Sequence, residues 1–415
     1  MPESDRLLVV DDADAATQCC IAGGGPAGLM LGYLLARAGV RVVVLEKHDD
    51  FLRDFRGDTI HPSTLTVLDD LGLLDEFLQL PHQEVTELTG EVFGQLVTIA
   101  DFRHVPAARQ VLVLVPQWDF LAFLARKARA YPHFALRMGT KATEVLEEGG
   151  RIVGVRVQEQ DRSGELRADL VVGADGRHAT LRESAGLATV DTGAPIDVLW
   201  FRLPRDAARH PARTGGVIQP GAMLVTLNRD SYWQCAFVIP KGSLEDLQAQ
   251  GIAAFRARVA HTAAFLSDVV DSLQGWDDVK LLSVQVNHMP QWWREGLLCI
   301  GDAAHAMSPV GGVGINLAIQ DAVAAANLLA RPLREGSLKS EDLQAVQRRR
   351  EWPARVTQRA QVAIQDSVLS PLLARSDAPA SPPLAVRLLQ RLPLLRRIPA
   401  RLVGIGVRPE RVRLP

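Results

Sequence analysis

The six residues Gly23-Gly24-Gly25-Pro26-Ala27-Gly28 constrain this chain most. They stand between an apolar run, Gln18–Ala22, and a helical run, Gly28–Ala38, closed by Gly39. A β-branched second run, Arg41–Leu45, then ends at Glu46. Strand, glycine turn, helix and strand within about 30 residues predict a βαβ unit. Gly23 permits the tight turn, Gly25 lets a diphosphate approach the backbone, and Gly28 lets the helix pack on the sheet. The helix N-terminus attracts the phosphates, and Glu46, 18 residues past Gly28, stands where it accepts ribose hydroxyls.

A fingerprint alone does not separate NAD from FAD. A second segment does. The predicted strand Leu297–Ile300 leads into Gly301-Asp302-Ala303-Ala304-His305, then Pro309-Val310-Gly311-Gly312-Val313-Gly314-Ile315-Asn316, then a helix to Ala330. An aspartate at a strand end can bond a ribityl hydroxyl, which NAD lacks. The glycine loop brings a second helix N-terminus to the ring, where it favours the negative charge of a reduced flavin. A third segment, Gly173-Ala174-Asp175-Gly176-Arg177-His178-Ala179-Thr180-Leu181-Arg182, lies between them.

These three segments together resemble the FAD-dependent aromatic hydroxylases, the para-hydroxybenzoate hydroxylase-like class A flavoprotein monooxygenases. The resemblance covers most of residues 18–185 and 285–330 and is architectural only in between. It implies an α/β fold: a Rossmann-like (GR2-type) FAD-binding domain with an inserted, mainly antiparallel β-sheet substrate domain. It implies FAD as cofactor, NADPH or NADH as transient co-substrate, and O2. A flavin C4a-hydroperoxide would then hydroxylate an aromatic or polycyclic small molecule, in a cavity kept dry above the ring.

By the same resemblance, Arg56 in Arg56-Gly57-Asp58-Thr59-Ile60-His61-Pro62 reaches the FAD diphosphate, Gln117 is a polar FAD contact, and Asp175 opens the motif tied to FAD and NAD(P)H. The expected cofactor set also holds Gly23, Gly25, Pro26, Ala27, Gly28, Glu46, Lys47, Gly301, Asp302, Pro309, Gly312, Val313, Gly314, Ile315 and Asn316. Pro309, Gly311 and Gly312 form the flavin-facing loop, with no obligatory acid or base. The chain departs from the family at Ala179, where relatives carry serine.

Length and texture predict a discontinuous cofactor domain (18–75, 105–185 and 285–375), a substrate domain (76–104 and 186–284) and a basic tail (376–415). Net charge −2 excludes nucleic acid as the main partner. Cys19, Cys20, Cys235 and Cys299 have no metal-ligand spacing and read as core residues in a reducing cytoplasm. No apolar run reads as a transmembrane segment. A monomer or a homodimer is expected.

Alternating segments Val198–Leu203, Met223–Leu227 and Tyr232–Ile239 place Trp200, Arg202, Met223, Tyr232 and Phe237 as substrate candidates. Alternation leaves open which parity faces the cavity. His82, His104, His210 and His288 are candidate bases, and Arg103, Arg109 or Arg202 candidate carboxylate anchors. Two other enzyme readings share the fold: a double-bond reductase of the geranylgeranyl reductase type, or a two-component flavoenzyme reduced by a partner. A halogenase would need a lysine between Lys47 and Lys127, and none occurs.

From Leu384 onward, 32 residues hold eight arginines and one acid, interrupted by prolines at 393, 399 and 409. A tail packed over the core with snorkelling arginines is the favoured reading. Peripheral membrane contact is the other.

Overall fold

The computed structural model describes residues 16–52, 59–211, 214–373 and 384–414. Its first sheet has eight strands, five of them parallel in the order Leu297–Cys299, Arg162–Gly173, Ala16–Ala22, Val42–Leu45, Phe134–Arg137, and three antiparallel, Trp293–Arg294, Arg151–Glu159 and Thr140–Glu148. Ala16–Ala22 is central, so the fingerprint turn opens at the C-terminal edge of the sheet, where α/β folds bind ligands. Cys19 and Cys20 point to opposite faces of this strand and belong to different cores. One face is covered by helices Pro26–Arg37 and Gly314–Glu335, the other by the antiparallel strands Thr140–Glu148 and Arg151–Glu159.

The fingerprint helix starts at Pro26 rather than Gly28. Proline suits the first helical position because its missing N–H has no intrahelical partner to lose. Residues 62–77 form two helices, Pro62–Asp70 and Leu74–Phe77, parted at Gly72 with φ +69°. Likewise the stretch 244–273 breaks at Gly251, φ +84°, into Leu244–Ala249 and Ile252–Thr262, followed by 3₁₀ turns.

A second sheet has seven strands: Lys280–Leu282, Ile196–Pro204, Tyr232–Pro240, Ala222–Asn228, Gly215–Gln219, Glu87–Val92, Gln95–Asp101. All neighbours are antiparallel except Gly215–Gln219 with Glu87–Val92. Helix Ile252–Thr262 covers one face, burying Leu199, Phe201, Phe237 and Phe255. The other face, with Val198, Trp200, Met223 and Val238, packs toward Val310.

Helix Gly314–Glu335 continues the apolar stretch from Val310 and is long and apolar enough to cross a membrane. The share of its most apolar window buried inside the fold is 83%. It is therefore read as the central core helix.

Candidate functional site

At the fingerprint, three glycines are locked by the fold and one is not. A Cβ on Gly28 would stand 1.9 Å from the Gly23 carbonyl oxygen, and one on Gly23 would stand 2.3 Å from that of Ala174. A Cβ on Gly24 would lie 2.9 Å from Cβ of Glu46. A Cβ on Gly25 would meet nothing within 4 Å. Gly25 thus fronts open space at a helix N-terminus, the cradle a diphosphate needs. Pro26 and Ala27 begin the helix behind it. Glu46 is buried, with Oε2 accepting the Gly24 N–H at 2.9 Å and Oε1 that of His48 at 3.1 Å. A carboxylate at this place is the acceptor type that a ribose hydroxyl needs. Lys47 is exposed beside it. Arg56 lies outside the described residues. Gln117 is half-buried and opens helix Gln117–Ala128.

The two downstream motifs are tied together. Arg182, almost wholly buried, donates to the Ala303 carbonyl at 2.9 Å and to that of Arg177 at 3.3 Å. Arg177 lies 3.7 Å from the Asp302 carboxylate and donates to the Ser283 carbonyl at 3.2 Å. Asp302 is one-third exposed at the strand end. Asp175 Oδ2 accepts the Leu181 N–H at 3.3 Å, whereas Oδ1 is buried without a hydrogen-bond partner. Burial pushes the Asp175 carboxyl above its ordinary range, against the backbone N–H groups that favour its charged form.

Pro309, Gly311 and Gly312 form an exposed or half-exposed turn whose two glycines have φ +78° and +61°. Val313, Gly314 and Ile315 follow at the helix start. A Cβ on Gly314, as on Gly25, would meet nothing. Asn316 is buried, its Oδ1 accepting from Thr64 Oγ1 at 2.6 Å and from the His61 N–H at 3.1 Å. Its Nδ2 is left without a partner. That orphaned donor suits a flavin carbonyl.

His61 carried no assigned role in the sequence, yet it sits against this loop. Its Nδ1 is 2.6 Å from the Val403 carbonyl, so Nδ1 carries the proton and Nε2 is left as an acceptor. Nε2 is buried, unpartnered, and 3.8 Å from where a Cβ on Gly312 would stand. Burial lowers the His61 pKa from 6.5 to about 4, against the opposing effect of the Val403 bond. As pH falls, the unfolded chain therefore binds this proton first. The stability carried by neutral His61 is full above pH 6.5 and is lost as pH falls toward 4, a loss of up to about 3 kcal/mol. Urea midpoints measured across that window should fall steeply for the native chain and less steeply for His61→Gln. Equal slopes would show that other groups carry the acid sensitivity.

A buried charge network lies behind the Gly301-Asp302 turn and went unread in the sequence. Asp321 Oδ2 accepts the Gly301 N–H at 3.1 Å and pairs with His305 Nε2 at 2.6 Å, while Oδ1 takes Arg350 Nε at 2.9 Å. Glu410, from the C-terminal segment, bonds Arg349 at 2.6 Å and lies 3.5 Å from Arg350. Burial alone would raise Asp321, but His305 and Arg350 hold its carboxyl below the ordinary range. One face of helix Ser340–Ile364 then clamps the adjoining loop. Gln347 donates to the Pro290 carbonyl, Gln358 to those of Asn287 and Ala306, and Gln361 to those of Ser308 and Val310. Gln365, the next residue of that row, is fully buried with both amide atoms unpaired.

On the seven-stranded sheet, Trp200, Arg202, Met223 and Tyr232 share the parity that faces Val310. Phe237 does not. It lies on the opposite face, fully buried, with its ring 5.5 Å from that of Phe255. Its place among the substrate candidates is therefore corrected to core. Arg202 stacks over the Tyr232 ring at 5.2 Å. Arg103 is engaged by Asp101 and Glu87, and Arg109 by Glu84, so neither is free to anchor a carboxylate. His210 is spent on Asp268 and the Asp206 N–H, His82 lies against the Leu80 carbonyl, and His104 is exposed on the surface.

Residues 16–360 match the family described as FAD binding domain. The 6-methylpretetramide 4-monooxygenase of Streptomyces rimosus is 36% identical over 97% of this chain and 95% of its own length. The anhydrotetracycline monooxygenase of Streptomyces rimosus is 30% identical over 73% of this chain, and the match spans 60% of that longer protein. Among solved structures, p-nitrophenol 4-monooxygenase PnpA from Pseudomonas putida superimposes with a TM-score of 0.76, at 20% identity, over 94% of this chain and 97% of that one. This last likeness concerns the fold.

Proposed function

Because this chain belongs to the FAD-dependent aromatic monooxygenases, we propose that its substrate is a polycyclic phenol of the aromatic polyketide type. The observation that carries this reading is the sheet face turned toward Val310. Val198, Trp200, Met223, Val225, Ala236 and Val238 make it apolar and broad. The engaged state of Arg103 and Arg109 fits an uncharged ring system better than a small carboxylate. The similarity to two tetracycline-type monooxygenases points the same way.

When bound, FAD takes electrons from NAD(P)H and activates O2 for transfer to the ring. The chain supplies position and electrostatics. In our reading, Gly25 and the helix behind it hold the diphosphate, with Glu46 on the ribose and Asp302 on the ribityl chain. The N-terminus of helix Gly314–Glu335 and the orphaned Asn316 amide favour negative charge at the flavin edge. The apolar sheet face excludes water from the reacting ring. His61 Nε2, buried and unpartnered beside the loop, accepts a hydrogen bond from the ligand side.

The test is anaerobic reduction of the FAD-loaded protein by NADPH and by NADH, with and without a polycyclic phenol, followed by air. Faster bleaching with the phenol, and a product heavier by one oxygen atom, is expected. Bleaching that requires an added reductase, or a saturated product formed without O2, would replace this reading.

A further inference from the structure

The C-terminal segment divides into two parts that the sequence does not distinguish. Residues 405–414 are strapped to the core. Arg411 pairs with Asp70, Glu410 with Arg349, and Asn327 bonds the backbone at 411 and 413. Residues 384–404 behave differently. They form helix Leu384–Arg391, a 3₁₀ turn Pro393–Arg396 and helix Arg397–Gly404. Pro393 and Pro399 lie where the helices restart, so the segment is two short amphipathic pieces instead of one.

Thirteen large apolar side chains stand out from the surface among the described residues, and six of them fall between 384 and 402. They are Leu384, Leu388, Leu392, Leu394, Ile398 and Leu402. Scattered apolar residues need no explanation, but a concentration of this kind does. Arg387, Arg391, Arg397 and Arg401 are exposed in the same segment, and no acid occurs from 384 to 409. The inner side is well anchored: Ala400 and Gly404 are buried, and a Cβ on Gly404 would stand 3.1 Å from the Phe102 ring. The leucines are therefore displayed by a docked element.

We propose that residues 384–402 form a docking face for an anionic phospholipid surface. Lipid headgroups match the uniform positive charge, and the acyl boundary accepts the leucines while the arginine stems snorkel outward. A second copy of this chain fits less well. Across a twofold axis the face would meet itself, setting arginines against arginines. The inner side of helix Arg397–Gly404 reaches the flavin-facing loop, with Val403 3.7 Å from where a Cβ on Gly311 would stand. A lipid surface held here lies next to the site. The proposal stands on these surface observations and does not depend on the substrate class.

The test uses the full FAD-loaded chain and two vesicle types, phosphatidylcholine alone and phosphatidylcholine with phosphatidylglycerol. Cosedimentation is expected only with the anionic vesicles and should be released by salt. Replacing arginines by glutamine, in R387Q/R391Q/R397Q, should weaken partitioning by roughly fivefold per charge. L384D/L392D/L394D should abolish it while flavin content and melting temperature stay unchanged, because these side chains already stand in solvent. Failure of the native chain to bind anionic vesicles overturns the proposal. So does binding of both variants as tightly as the native chain. A native dimer that the leucine variant converts to a monomer, without vesicle binding, would assign the face to a second copy instead.

Discussion

Asp321→Ala is expected to destabilise the protein by about 3–5 kcal/mol. The carboxylate is fully buried and serves three partners at once: Arg350, His305 and the Gly301 N–H. Removing it leaves a guanidinium that is 1% exposed, with Glu410 at 3.5 Å as a remaining charged partner and the Arg408 carbonyl as an acceptor. An uncompensated buried charge costs more than the lost pair was worth, because no water replaces the missing partner. The Gly301 N–H also loses its acceptor, at the residue that begins the turn carrying Asp302. The variant should therefore shed FAD under conditions where the native chain keeps it. Asp321→Asn retains an acceptor but no charge and should fall between the two. Urea midpoints and flavin released on dilution measure both effects. A change below about 1 kcal/mol, the ordinary cost of a point substitution, would mean that Glu410 and the Arg408 carbonyl satisfy Arg350 without Asp321. Because Asp321 is held below the ordinary carboxylate range, its contribution is present above that range and is lost as pH falls through the lowered value.

Gly25→Val separates cofactor binding from folding. The backbone at Gly25 has φ −77° and ψ −174°, a conformation any residue adopts, and its Cβ direction is open. The unliganded chain should keep its melting temperature. A branched side chain would fill the cradle in front of the helix, where the diphosphate must touch the backbone. Overpacking of this kind costs about 1–3 kcal/mol, so FAD should bind roughly ten to a hundred times more weakly. Gly28→Val makes the contrast. Its Cβ would stand 1.9 Å from the Gly23 oxygen, so the turn itself must break and the fold should suffer as well. If Gly25→Val binds FAD like the native chain, the diphosphate does not pass over Gly25.

Much of the cofactor end was legible because its signals are local. A glycine turn between a strand and a helix, or an aspartate after a strand, encodes its geometry in neighbouring residues, and hydrophobic periodicity marks the strands. The antiparallel insertion was legible as an architecture for the same reason. Its chemistry was not. Alternation says that Trp200 and Phe237 lie on strands but treats both faces alike. Helix Ile252–Thr262, by covering one face, makes Phe237 core and leaves Trp200 toward the loop.

The remaining decisions link residues far apart in the chain. Asn316 is oriented by Thr64, and the tautomer of His61 is set by the Val403 carbonyl, 342 positions away. Arg350 and Glu410 complete the shell around Asp321, which in sequence is one acid inside an apolar helix. Sequence by itself determined the nucleotide fold, the flavin and the turn-to-helix geometry of the two glycine segments, since each rests on backbone constraints within a few residues. Tertiary structure alone decided which sheet face a helix covers, which charges are buried together and which part of the basic tail stays in solvent. Those outcomes depend on desolvation and packing between distant segments, and periodicity within a strand or helix carries no information about them.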